Sequence, residues 1–273
     1  MAKIEKLLFM AVILAAAASA AALPGSFAPD SSAPNENDTL FQTSTIGALM
    51  TGVFDGTMSF KDLRSHGDFG VGTFNRLDGE MVELDGQFYQ VKSDGSAYPV
   101  DGSMKTPFAE VTFFKPDETA SLNSTYNLTQ LQSYLDGRLP TKNLFYAIRI
   151  DGTFDYIKTR APLAQDKPYP TLTEALKSQK IFQFQNVTGT VVGVWCPSYA
   201  KEINVAGYHM HFITADRSKG GHLLDLTLSK NATVQIDDLS GLQMALPLEE
   251  EFYQADLSGD QQAALKKAES NPK

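Results

Sequence analysis

Three of the chain's four histidines fall within fourteen residues, in the stretch GYHMHFITADRSKGGHLLDL from Gly207 to Leu226. His209 and His211 are two apart, and on a β-strand that spacing turns both imidazoles to one face. The polar run ADRSKGG predicts a turn, and the apolar residues Leu223, Leu224 and Leu226 predict the returning strand of a hairpin. A loop centred on Asp216 and Arg217 sets His222 opposite His211 with the same parity, so three imidazoles converge. Three neutral imidazoles with room for further ligands suit a catalytic Zn²⁺ or similar divalent ion. Structural zinc sites instead close four protein ligands and lean on cysteine. The single cysteine excludes a closed thiolate site. One divalent ion per chain, held by His209, His211 and His222, is therefore expected.

A carboxylate is the natural supplement to such a site, as an extra ligand or as the acid-base group, and a cation is the natural partner of an anionic substrate. Spacing does not choose among 32 acidic residues. Glu80 opens an alternating run and reads first as a solvated strand-edge charge, and Arg149 and Arg160 read first as surface residues. The fourth histidine, His66, lies outside the hairpin. The glycines at 67, 70 and 72 around it lack the third glycine and following helix of a phosphate loop, so they predict a strand with close backbone approach. Cys196 sits in the apolar run VVGVWCP and reads as a buried structural thiol.

The elements that must position these residues begin after two expected leader segments. Residues 1–22 carry Lys3 and Lys6, an apolar run and Ala18-Ser19-Ala20, the pattern of a secretory signal peptide, so export is expected. Residues 23–38 are rich in Pro, Ser and Asn and read as a disordered lead. The formal net charge of −9 disfavours nucleic acid and anionic membrane surfaces as partners.

The fold class expected is α+β (mixed α/β): two β-sheet domains with flanking helices, the metal site in the cleft between them. The first spans 39–165. It should hold a short helix near Ile46 to Val53 and a hairpin from Glu80 to Val91 about Asp85-Gly86. A strand at Glu110 to Phe114, a helix from Asn127 to Asp136 and a second hairpin about Asp151-Gly152 should follow. Pro162, Pro168 and Pro170 mark a linker to a smaller second sheet domain, 166–273. A Thr171-x-x-Glu174 capping box starts a helix there, and Phe182 to Trp195 and Ala232 to Ile236 read as strands. A Ser258-x-x-Gln261 box opens a docked tail helix carrying Leu265 and Glu269.

The segments TSTIGALMTGVFDG, HGDFGVGTFNRLDGEMVELDGQFYQ, YAIRIDGTFDYIKTR, TGTVVGVWCP and the histidine stretch together resemble alpha-acetolactate decarboxylase, in order, from about Thr43 to Glu269. The resemblance implies decarboxylation of (2S)-2-acetolactate to (R)-acetoin and CO₂ through a zinc-bound enediolate, on the route to acetoin and butanediol. It implies His209, His211 and His222 as zinc ligands and Glu80, Arg160 and Glu269 as catalytic residues. Thr73 and Arg160 would be substrate contacts. A homodimer acting on a small molecule is the expected assembly, and Glu83 and Arg149 are left without roles. Alternatives from the residues alone are a cupin-type oxygenase, a zinc hydratase or a non-catalytic metal-binding protein. The cupin reading lacks its acid, since position 215 is alanine.

Overall fold

The alternation from Glu80 to Val91 forms the expected hairpin, strands Glu80–Leu84 and Gln87–Val91 joined at Asp85 and Gly86 with φ of 53° and 71°. Both central residues are left-handed, the condition for the tight turn that matches strand twist. A computed structural model describes residues 38–269. The expected signal peptide and all of the lead except Asp38 lie outside the described residues. No helix among the described residues is long and apolar enough to cross a membrane.

Two seven-stranded sheets organise the chain. The first runs Gly241–Ala245, Thr39–Thr43, Ala109–Thr112, Phe69–Thr73, Glu80–Leu84, Gln87–Val91, Ala97–Pro99. Its pairings are antiparallel except between the first two strands. The second runs Tyr126–Asn127, Gly220–Leu228, Gly207–Thr214, Lys180–Cys196, Phe145–Ala161, Ala232–Leu239, Glu118–Leu122. The strand Phe145–Ala161 also pairs with Gly220–Leu228, so four strands close on one another.

This topology corrects three expectations. Asp151-Gly152 is no turn: Phe145–Ala161 is one strand of 17 residues, paired along its length with Lys180–Cys196. Asp151 instead joins a polar ladder, accepting from Arg149 Nε at 2.6 Å and Thr190 Oγ1 at 2.7 Å. Gly152 is required because a Cβ there would lie 2.8 Å from the Ala232 methyl. Nor do the sheets part at 165/166. The strands at 118–122, 126–127 and 145–161 belong to the second sheet, while 241–245 belongs to the first. Finally, the second sheet is not smaller. Long-range pairing, which no local pattern encodes, decides all three.

The sheets share a core, in which Leu40, Phe69 and Val82 of the first meet Ala147, Val192 and Ile213 of the second. Helix Leu128–Asp136 forms where expected, with an Asn127–Gln130 capping box. It buries Leu131 and Leu135 against the second sheet, not the first. The glycine-rich segment is a strand, as its spacing predicts: a Cβ on Gly70 would lie 2.2 Å from the Glu110 carbonyl, so only glycine admits the close pairing with Ala109–Thr112. Short helices Ile46–Met50, Leu172–Ala175 and Gln262–Glu269 gather Ile46, Leu49, Leu172, Leu265 and Ala268 around Phe108 as an apolar roof. Thr45 caps the first through its side chain. The expected box at Thr171 does not form, and Asp260, not Ser258, accepts from Gln262 N at the start of the tail helix.

Candidate metal centre and active-site cavity

Strand Gly207–Thr214 carries His209 and His211, and its register sets His211 directly opposite His222 on Gly220–Leu228. The three ring centroids lie 5.0 to 5.3 Å apart. One nitrogen from each ring falls within 4.8 Å of the others, and all three side chains are buried. This is the convergence that parity predicts, and the donor set suits a borderline divalent ion.

Each ring is supported differently. His209 Nδ1 lies 2.8 Å from Glu110 Oε1, and His211 Nδ1 lies 2.7 Å from the Met81 carbonyl. A carbonyl oxygen only accepts, so the proton of His211 is on Nδ1, and its Nε2 is left buried and without a hydrogen bond. His222 Nδ1 is also buried without a partner. Unpaired buried imidazole nitrogens are costly unless something coordinates them, so the residues present fit a metal ion. Burial, then His209, depresses the His211 pKa far below the usual histidine range. Burial, then Arg160, does the same to His222. Both rings are thereby kept neutral, as ligation requires. Burial also works against charge on His209, but the Glu110 hydrogen bond and the nearby carboxylates outweigh it and raise its pKa.

Arg160 arrives from Phe145–Ala161, in register with His222. It is 4% exposed, donates to the Ala268 carbonyl at 2.6 Å and the Glu269 carboxylate at 3.3 Å, and lies 3.8 Å from Glu80. The surface reading of Arg160 is therefore overturned, whereas Arg149 does lie nearer the surface, paired with Asp85 and Asp151. Glu80, 6% exposed, is likewise no solvated edge charge. Its Oε2 is 3.6 Å from His211 Nε2. Burial pushes its pKa to about 7, Arg160 pulling down and Glu269 pushing up. Glu269 Oε2 reaches His222 Nε2 at 3.3 Å.

Thr73 pairs with Glu80 across the hairpin strands and lines the same cavity, its hydroxyl donating to the Gly79 carbonyl at 2.7 Å. Every residue singled out for the site thus comes together. His66 stays apart, stacked on Phe41 at 3.7 Å, and Cys196 is buried with its thiol pKa raised by burial. Glu83 is buried on the same strand as Glu80, with neither carboxylate oxygen hydrogen-bonded. Sequence reasoning missed Glu110, read only as part of a strand, since nothing local marks it as the partner of a histidine 99 residues away. The cavity walls add Ile46, Leu49, Leu77, Phe108, Leu172 and Leu176.

The fold and cavity define a mixed α+β protein with a three-histidine, metal-type site backed by carboxylates and one arginine. Comparison with known proteins narrows this. The family model for alpha-acetolactate decarboxylase matches residues 40–259. An alpha-acetolactate decarboxylase of Methanosarcina mazei is 51% identical over 86% of this chain and 81% of its own. One of Bacillus licheniformis is 45% identical over 86% of this chain and 93% of its own. The crystal structure of the Bacillus subtilis strain 168 alpha-acetolactate decarboxylase superposes with a TM-score of 0.83 at 41% identity, covering 86% of this chain and 100% of that one. The chain belongs to the alpha-acetolactate decarboxylase family. Glu269 lies beyond the residues that the family model matches.

Proposed function

We propose that this cavity decarboxylates (2S)-2-acetolactate to (R)-acetoin and CO₂, with zinc held by His209, His211 and His222. The observation that carries the reading is the meeting of three buried imidazoles, Arg160 and two carboxylates in one cavity beneath an apolar roof. When bound, zinc supplies Lewis-acid stabilisation of the negative charge that develops on the substrate's oxygens. No organic cofactor is needed, because the β-keto group is already an electron sink.

The chain's own residues supply the rest. The guanidinium of Arg160, planar and always charged, holds the substrate carboxylate. As the C–C bond breaks, its electron pair passes into the carbonyl to give an enediolate, and CO₂ leaves. Glu80, whose carboxyl burial pushes toward the protonated form, delivers a proton to carbon from one face. Solvent then reprotonates it. Ile46, Leu49, Leu77 and Phe108 accommodate the methyl groups and exclude bulk water.

A non-catalytic metal protein would close its coordination shell, and the arginine beside these imidazoles has no part in that design. The same reading places the enzyme in acetoin and butanediol formation, exported after loss of its leader and assembled as a homodimer. Incubating zinc-loaded protein with racemic 2-acetolactate and resolving the acetoin on a chiral column tests the central claim. No acetoin, or racemic acetoin, would sink it. N-terminal sequencing of secreted protein and light scattering test the other two.

A further inference from the structure

Behind His209 stands a polar chain that the reaction does not use directly. Glu110 is fully buried, and its two carboxylate oxygens face different partners: Oε1 lies 2.8 Å from His209 Nδ1, and Oε2 accepts from Asn204 Nδ2 at 2.5 Å. Asn204, also fully buried, donates to Gln42 Oε1 at 2.7 Å and accepts through Oδ1 from Val205 N at 2.6 Å. Gln42 in turn donates to the backbone carbonyls of Ser44 and Ile203, at 2.8 and 2.7 Å. The chain is anchored at its far end in main chain, so none of its side chains can turn without leaving a buried polar atom unpaired.

We propose that Glu110 is a positioning residue for metal binding, holding His209 by its Nδ1 so that Nε2 faces His211 and His222, with Asn204 and Gln42 locking Glu110 in turn. A carboxylate behind an imidazole fixes its tautomer and orientation and makes the opposite nitrogen a better donor. The three histidines are therefore unequal. His209 is backed by a carboxylate and His211 by a neutral carbonyl, whereas no hydrogen bond holds the Nδ1 of His222 and its Nε2 lies 3.3 Å from Glu269. His209 is the anchor of the set, and the reason lies on two strands of the other sheet, Thr39–Thr43 and Ala109–Thr112, which carry Gln42 and Glu110. The inference rests on the metal reading above but concerns affinity, not turnover.

The test is zinc affinity measured by competition with a chromophoric chelator, on wild type, Glu110→Gln and Asn204→Ala, with His211→Ala as a control. Glutamine keeps the shape and an acceptor for His209 but removes the charge and turns an amide N–H₂ toward Asn204. Glu110→Gln should weaken zinc binding about 10- to 100-fold, the usual cost of losing such a partner. Asn204→Ala should weaken it less. In Co²⁺-loaded protein the visible ligand-field bands of Glu110→Gln should shift, which a purely structural role would not produce. Unchanged affinity and spectrum in a folded Glu110→Gln protein would overturn the proposal, and wild type that binds no zinc would overturn the metal reading beneath it. Where a variant does not fold, ¹⁵N NMR of zinc-loaded wild type decides. His209 should keep a slowly exchanging proton on Nδ1, and finding that proton on Nε2 would refute the assignment.

Discussion

Glu80 and Glu269 flank the same guanidinium but belong to differently built parts of the molecule. Glu80 sits on a strand paired on both sides, with Thr73 and Val91 as cross-strand neighbours, and is 6% exposed. Glu269 ends an eight-residue helix that buries only Leu265 and Ala268, and its side chain is 17% exposed. Burying a leucine contributes about 2 kcal/mol, so few contacts hold the tail. A carboxylate fixed in a sheet can deliver a proton from one direction. One carried by a lightly held helix suits closing the cavity and setting the local charge.

The largest effect is expected where neither carboxylate can compensate. His211→Ala or His222→Ala should lower zinc content steeply and remove acetoin formation, because two imidazoles and a carboxylate hold zinc less well than three imidazoles. Elemental analysis of purified protein checks this, and unchanged zinc in His222→Ala would remove that residue from the site.

Glu80→Gln comes next and tests the comparison most directly. It should retain zinc, lower kcat by about 10²-fold or more, and release acetoin of mixed handedness, since solvent would protonate the enediolate from both faces. In wild type the proton-bearing form of Glu80 is lost as pH rises through about 7. A bound dication would draw that value down, so kcat should fall on the alkaline side with an apparent pKa no higher than about 7. Glu80→Gln should lack this limb. Enantiopure product at full rate from Glu80→Gln would reverse the roles of the two carboxylates.

Arg160→Lys should keep the metal and lose about 10- to 100-fold in kcat/KM, because a lysine cannot reproduce the planar fork. Glu269→Gln is expected to cost less than tenfold in kcat, on the order of one modest polar contact. Because Glu269 is one of the charges raising the Glu80 pKa, the same variant should move the alkaline limb to lower pH. A pH–rate series on both proteins measures it. An effect of Glu269→Gln as large as that of Glu80→Gln would mean that the tail shares the proton transfer. The smallest effect belongs to His66→Ala, which should leave zinc content and rate nearly unchanged, His66 being stacked on Phe41 away from the cavity.

What the sequence determined by itself was local. The period of two in His209 and His211, and a turn long enough to bring His222 back in register, depend only on strand geometry and a short loop. The Asp85-Gly86 turn and the helix from Asn127 to Asp136 are legible for the same reason. Glu80, Arg160, Thr73 and Glu269 became visible only through family resemblance, because their own patterns read as surface charge, plain strand or tail helix. Tertiary structure alone decided that Asp151-Gly152 runs straight through a strand, since its glycine answers to Ala232, 80 positions on. It alone exchanged strands between the two halves of the chain. And it alone brought Glu110, Asn204 and Gln42 behind His209, because a buried carboxylate acquires its role from what it faces, and sequence spacing carries no record of that.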